Sequence, residues 1–177
     1  MALGMCLRFY LYAKPIENYL TKRQDDFMII VQTQAFDVGV ELARLKKGRS
    51  DIGGTAIFVG SVRDMSADAV VSTMMLEHYP GMTEKALAEI EIEARRRFDI
   101  SDALIIHRYG TLRPGDDIVL VITCSEHRAQ AFSACEFLMD WLKTKAPFWK
   151  LETGGGETRW IDAKPSDDAA TARWSKV

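Results

Sequence analysis

The sequence predicts an α+β fold, in which helices and strands mix without strict alternation. Three observations carry that prediction: two long stretches with helical apolar spacing, a series of short β-branched runs, and successive runs joined by turn-type connections too short for a crossover helix. The resulting order is β-α-β-β-α-β-β-α-β-β, which a doubly wound parallel sheet would not give.

The first strand is expected over residues 28–31, and a short amphipathic helix over 37–47 closes at Gly48. After Gly53 and Gly54 a strand is expected over 55–62. The connection 63–68 is polar and shows neither period, so it is expected to be irregular. Residues 70–78 predict a further strand, and Pro80 and Gly81 mark a turn. From 83 to 98 the residues Ala86, Leu87, Ile90, Ala94 and Phe98 recur at helical spacing opposite charged positions. Strands over 103–109 and 117–124 are joined across Pro114, Gly115 and Asp116. Ser125 is placed to cap a long helix with a core stripe of Ala131, Ala134, Cys135, Leu138, Met139 and Leu142, which Pro147 ends. Residues 148–153 and 158–162 predict two strands around the internal glycines 154–156, and the last dozen residues predict a loose polar tail. Residues 1–26 have no clean period and read as an extension, disordered or produced by an upstream start, ahead of one domain over 27–177.

The charge balance narrows the function. With 23 Lys+Arg against 25 Asp+Glu the net charge is -2, so a broad basic footprint for nucleic acid or anionic membrane is excluded. Any anion has to be bound locally. Cys6, Cys124 and Cys135 form no CxxC pair and no ligand-like spacing with the histidines, so neither a disulfide framework nor a metal site is expected. No apolar run approaches the roughly 18 residues of a membrane span, and Arg8 and Lys14 break the pattern of a signal peptide. A cytoplasmic location is therefore predicted. The common nucleotide, zinc-protease and hydrolase motifs are missing from the sequence.

Charge placement gives the local clues. A helix N-terminus already carries partial positive charge, yet Ser125 and Glu126 are followed by His127 and Arg128. Either Glu126 offsets Arg128, or an anion binds there. Lys143 and Lys145 lie in the last helical turn, where cations oppose the dipole favourably. Lys150 lies among Phe148, Trp149 and Leu151, and strand alternation puts Phe148 and Lys150 on one face. Arg63 ends a strand, where sheets often present ligand contacts. Cys124, at a strand-to-helix junction, is either an activated thiol or a buried structural cysteine. Residue chemistry alone thus gives a small-anion pocket.

The strings LEHYPGMTEKALAEI (76–90), IHRYGTLRPGDDIVLV (106–121) and HRAQAFSACEFLMDWLKTKAPFWK (127–150) resemble the large, catalytic subunit of molybdopterin synthase. The resemblance runs from about residue 28 to about residue 174. It implies an α/β hammerhead with an additional antiparallel β subdomain, dimerising through the large subunit within a heterotetramer. It also implies a small ubiquitin-like carrier partner, whose C-terminal Gly-Gly thiocarboxylate delivers sulfur. The implied substrate is cyclic pyranopterin monophosphate, converted to molybdopterin by two sulfur transfers, with no permanently bound cofactor. By motif, the resemblance assigns catalysis to Lys143 and Lys150. Substrate binding falls to Ser61, Val62, Arg63, His127, Arg128, Lys143, Lys150, Leu151 and Glu152. On this view Arg63, Arg128 and the helix N-terminus together hold the phosphate. Family members often carry a glycine near Ala67 or Asp68, which leaves the mobility of that connection open. Two other readings remain: a persulfide sulfurtransferase using Cys124, and a non-catalytic pterin-binding or scaffold subunit.

Overall fold

The computed structural model describes residues 29–66, 69–161 and 165–176; the extension expected over residues 1–26 lies outside them. In chain order the elements are β1 (Ile29–Gln32), α1 (Val38–Lys46), β2 (Gly54–Ser61), β3 (Met65–Ser66), β4 (Ala69–Val70), β5 (Thr73–His78), α2 (Met82–Arg97), β6 (Asp102–Arg108), β7 (Gly110–Leu112), β8 (Asp117–Ser125), α3 (Arg128–Lys145), β9 (Phe148–Gly154), β10 (Glu157–Ile161) and α4 (Pro165–Ala172), with a 3-10 turn over Arg173–Lys176. The mixed order is that of an α+β fold.

A first sheet has the order β1-β6-β8-β2. β1 pairs with β6 in parallel, and the other two pairings are antiparallel. Its central strands are buried on both faces. On one face Ala56, Ile105, Val119 and Val121 pack against Leu87, Ile90 and Ala94 of α2 and Ala131, Ala134, Phe137 and Leu138 of α3. On the other, Leu104, Ile106, Leu120, Ile122 and Cys124 meet Val38, Leu42 and Leu45 of α1. Asp37 caps α1, its carboxylate accepting from the Val40 N–H at 2.9 Å.

A second, wholly antiparallel sheet has the order β10-β9-β5-β7. It forms the additional antiparallel subdomain, joined to the first sheet through a small core of Val62, Met74, Leu76 and Leu112. The chain changes sheet between β6 and β7, where Gly110 at φ +88° makes the bend that a side chain would resist.

Four expectations are corrected. The connection 63–68 contains β3, which pairs with β4 in a two-residue ladder too short to show a strand period in the sequence. β7 was absorbed into the expected loop before Pro114, since three residues carry no readable alternation. His127, not Ser125, takes the N-cap position of α3. Ser125 is buried, and its hydroxyl accepts from the His127 N–H at 3.1 Å while donating to the Asp99 carbonyl at 2.7 Å. Last, the supposed loose tail holds α4, started by Pro165 with Asp167 and Asp168 in its first turn, a placement that favours a helix N-terminus. It docks on α3 through the Thr171–Thr144 hydroxyl contact at 2.9 Å, and Trp174 follows, its indole N–H donating to Asp140 at 2.7 Å. In the core stripe of α3, Phe137 is fully buried and Met139 lies at the rim.

Candidate active site

The cations singled out by the sequence fall into two groups. The first surrounds the inner face of the second sheet. β9 alternates as expected, with Phe148, Lys150 and Glu152 on one face and an exposed Trp149 on the other. Lys150 lies across from Leu76 and Ile161, so its stem crosses apolar surface while its ammonium forms an ion pair with Glu152. Glu152 is only 4% exposed. Arg159 is its direct cross-strand partner on β10 and approaches it to 3.9 Å. A buried carboxylate flanked by two cations is a charge-neutralising arrangement that holds the lysine head in place. Lys150 is thus a held cation and not a lysine stripped of counter-charge. A small, shallow cleft of about 40 Å3, open to solvent, lies alongside, lined by Val70, Val71, Glu152, Thr153, Glu157 and Arg159 among others.

Arg63 lies just beyond β2, and the carbonyl of its neighbour Asp64 accepts at 2.8 Å from the N–H of Val71, which lines the cleft. Val62 before it is buried, while the Ser61 hydroxyl donates to Asp117 at 2.6 Å. Lys143 is in the last turn of α3, which runs through Pro147 directly into β9. Its side chain is 57% exposed, with Asp167 of α4 at 4.0 Å.

The second group is His127 and Arg128 at the other end of α3. Both are exposed, and no acidic residue occupies the first turn. Among the described residues Arg128 has no ion pair with Glu126. Gly53 and Gly54 make this end possible: a Cβ on Gly53 would lie 2.2 Å from the Glu126 carbonyl oxygen, and one on Gly54 would lie 3.0 Å from the Arg128 Cα.

One chain does not bring the two groups together. Lys143 is fifteen residues along α3 from Arg128, about 22 Å at the helical rise. Arg63 and Arg128 flank opposite ends of β2, roughly 25 Å apart at the strand rise. The expectation that Arg63, Arg128 and the helix N-terminus jointly hold one phosphate therefore fails within a single protomer.

The sequence model of the MoaE protein family matches residues 31–145. The chain belongs to that family. The molybdopterin synthase catalytic subunit of Ralstonia nicotianae is 56% identical over 149 residues, covering 84% of this chain and 85% of that one. The subunit of the same name from Escherichia coli is 49% identical over 146 residues, 82% and 97% of the two chains. Among solved structures, a molybdopterin biosynthesis MoaE protein from Burkholderia ambifaria is similar with a TM-score of 0.72 at 53% identity, covering 84% of this chain and 98% of that one. Molybdopterin synthase from Staphylococcus aureus gives 0.70 at 27% identity, over 76% and 97%.

In this MoaE chain Cys124 is not a reactive thiol. It is fully buried, its sulfur lies 3.7 Å from the Thr55 hydroxyl, and burial pushes its pKa up. Cys135, also buried, is pushed up to about 11 by the same desolvation. Among the described residues no group of three or more His, Cys, Asp or Glu could hold a metal ion. Sequence reasoning missed Arg159. The signal was present: a tight hairpin over the glycines pairs 157 with 154, and therefore 159 with 152. Glu152, expected as a substrate contact, has its carboxylate at the hub of the first group.

Proposed function

We propose that this chain is the sulfur-accepting catalytic subunit of a molybdopterin synthase, converting cyclic pyranopterin monophosphate to molybdopterin. The sulfur comes from the C-terminal thiocarboxylate of a small ubiquitin-like carrier. The observation that carries the reading, beside family membership, is a set of cations of which Lys150 is held by a buried carboxylate while Arg63 and Arg128 are exposed and have no partner among the described residues. Substrate phosphate and incoming thiocarboxylate are both anions, and their approach in a site of low dielectric needs fixed positive charge. Lys143, largely exposed in the last turn of α3, positions the thiocarboxylate and moves protons as sulfur adds and oxygen leaves. Lys150, fixed by Glu152, stabilises the negative charge of the opening phosphate ester. Ser61, Val62, Leu151 and the Glu152 backbone complete the substrate-binding surface.

The separation of the two cation groups supports a site shared between two copies of the chain. β2 is an edge strand, and Ile57, Phe58 and Val59 on it are all exposed. An edge with apolar side chains on both faces is a template for pairing. Antiparallel pairing of β2 with its copy across a two-fold axis would set Arg63 of one protomer beside Arg128 of the other. The site then comprises Arg63, Lys143 and Lys150 of one chain with His127 and Arg128 of its partner.

No described helix is long and apolar enough to cross a membrane. We place the protein in the cytoplasm on the strength of its two buried free thiols, Cys124 and Cys135. The deciding experiment combines the purified chain, thiocarboxylated carrier and cyclic pyranopterin monophosphate with no third protein, and follows the dithiolene product by mass. Product formation is expected from the native chain, and normal turnover by Lys143→Ala would overturn the catalytic assignment.

A further inference from the structure

We propose that the turn over residues 113–116 is a positioning element for Arg63, fixing the backbone from which this arginine reaches an anionic group of the reactants. The proposal rests on the reading that Arg63 contacts substrate or carrier. The side chain of Arg63 is exposed and has no hydrogen-bond or ion-pair partner among the described residues. Its backbone is nevertheless tied on both sides. Val62 N–H donates to the Asp116 carbonyl at 2.9 Å, and the Val62 carbonyl accepts from Gly115 N–H at 2.9 Å. On the far side the Asp64 carbonyl accepts from Val71 N–H at 2.8 Å. The Val62 side chain adds an apolar anchor against Met74, Leu76 and Leu112.

The turn that grips Val62 is itself rigid. Asp116 N–H donates to the Arg113 carbonyl at 2.9 Å, and the Arg113 N–H returns a bond to the Asp116 carboxylate at 2.8 Å. Pro114 restricts one φ, and Gly115 takes φ +91°. Closing the connection between β7 and β8 requires only the bonds inside the turn. The two further bonds reach Val62, more than 50 residues earlier in the chain, and extend the β2–β8 pairing past Ser61 to the neighbour of Arg63. Their effect is to hold the end of β2 beyond the bulge between Gly60 and Ser61, where the ladder with β8 shifts register and resumes at Ser61 and Asp117. An unpaired guanidinium on a clamped backbone is a preorganised anion contact: its point of attachment is fixed before the ligand arrives, so less ordering is lost on binding.

The test uses the assembled synthase with carrier and the cyclic phosphate, reading KM for each reactant separately, kcat, and thermal unfolding. Arg63→Ala raises one KM by about ten- to a hundredfold, the scale of a charge-assisted hydrogen bond. A rise for the cyclic phosphate assigns the phosphate as ligand; a rise for the carrier assigns the thiocarboxylate. Gly115→Ala, whose added Cβ meets nothing within 4 Å and so strains φ without a clash, raises the same KM by about three- to tenfold with kcat unchanged. Asp116→Ala behaves likewise, and Asp116→Asn, which keeps a side-chain acceptor, restores the native value. In the Arg63→Ala background neither turn variant raises KM further. Additive effects in the double variants, or turn variants that lower stability while leaving KM alone, overturn the positioning role while the Arg63 contact stands. An unchanged KM for both reactants in Arg63→Ala overturns the contact itself and the positioning role with it.

Discussion

The two four-stranded sheets are built to different ends. The first is covered by helices on both faces, and β8 is buried without interruption from Val119 to Ser125. The second is covered on one face only; its outer face exposes Trp149 and Trp160, and its inner face places Lys150, Glu152 and Arg159 beside Met74 and Leu76. Apolar burial contributes about 25 cal/mol per Å2, so the first sheet carries most of the fold's stability. Along the second, apolar contact is exchanged for placed charge. On the proposed assignment the charged groups lie on the second sheet and at the ends of β2 and α3, away from the buried core of the first, so substitutions can separate stability from chemistry.

The largest expected effect is on chemistry alone. Lys143→Ala removes an exposed side chain, so thermal unfolding should stay within a degree or two of native. On the proposed assignment, turnover in the defined assay should fall by about a thousandfold, through loss of both a proton carrier and a charge next to the reacting atoms. The converse is Phe137→Ala in the core of the first sheet. Phe137 is fully buried, edge-on to Phe98 at 5.5 Å and to Trp174 at 5.4 Å. Its loss should cost about 3–5 kcal/mol in denaturant unfolding and leave kcat per folded molecule unchanged. A large kcat loss here would break the division between buried core and charged groups.

Glu152→Gln sharpens the comparison because both properties should move. Neutralising the buried carboxylate leaves Lys150 and Arg159 as neighbouring like charges. We expect about 3 kcal/mol of lost stability and a turnover reduced by about ten- to a hundredfold. Urea unfolding and steady-state rates measured on the same sample check this. Full activity with lowered stability would make Glu152 a purely structural residue.

A smaller effect belongs to the seam between the sheets. His107 stacks on Phe148 at 3.7 Å, and burial pushes its pKa from 6.5 down to about 4. The folded state holds the ring neutral, whereas the unfolded chain binds a proton near pH 6.5, so the unfolded state binds more protons between these values. Stability is therefore complete above about pH 6.5 and is lost progressively as pH falls toward 4, by about 2–3 kcal/mol for this group. His107→Phe should flatten that slope in urea midpoints measured from pH 7 to pH 4. An unchanged slope would place the acid sensitivity elsewhere.

The same contrast decided what the sequence revealed. The first region was legible because burial on one or both faces imposes a period: the stripe of α3 and the run of β8 follow from spacing alone. What failed there was short or polar. β7 and the β3–β4 ladder have too few residues to show alternation, and α4 is amphipathic through Thr171 and Ala residues, which carry little apolar signal. In the second region single residues were legible and their partners were not. Lys150 stood out as a cation among aromatics, but its pairing with Glu152 and Arg159 depends on hairpin register, which local composition does not state. The split of the cations into two groups was invisible for a related reason. A sequence places Arg63 and Arg128 only by neighbourhood, and their separation appears when β2 is known to run between them.

The smallest expected effect separates two kinds of sulfur chemistry. If sulfur were carried on this chain as a persulfide, Cys124 would have to meet a donor and then an acceptor, both in contact with its Sγ. In the fold that sulfur is sealed between β8 and β2, beside Thr55, with α1 covering the same face. Burial raises the thiol pKa, so the nucleophilic thiolate is disfavoured as well as inaccessible. Cys124→Ser should therefore leave kcat and KM at native values while costing on the order of 1 kcal/mol, because the smaller hydroxyl fills the site less well and brings a polar group to it. Loss of turnover in a Cys124→Ser chain that remains folded would require the first sheet to open during catalysis, and the separation of stability from chemistry would then fall.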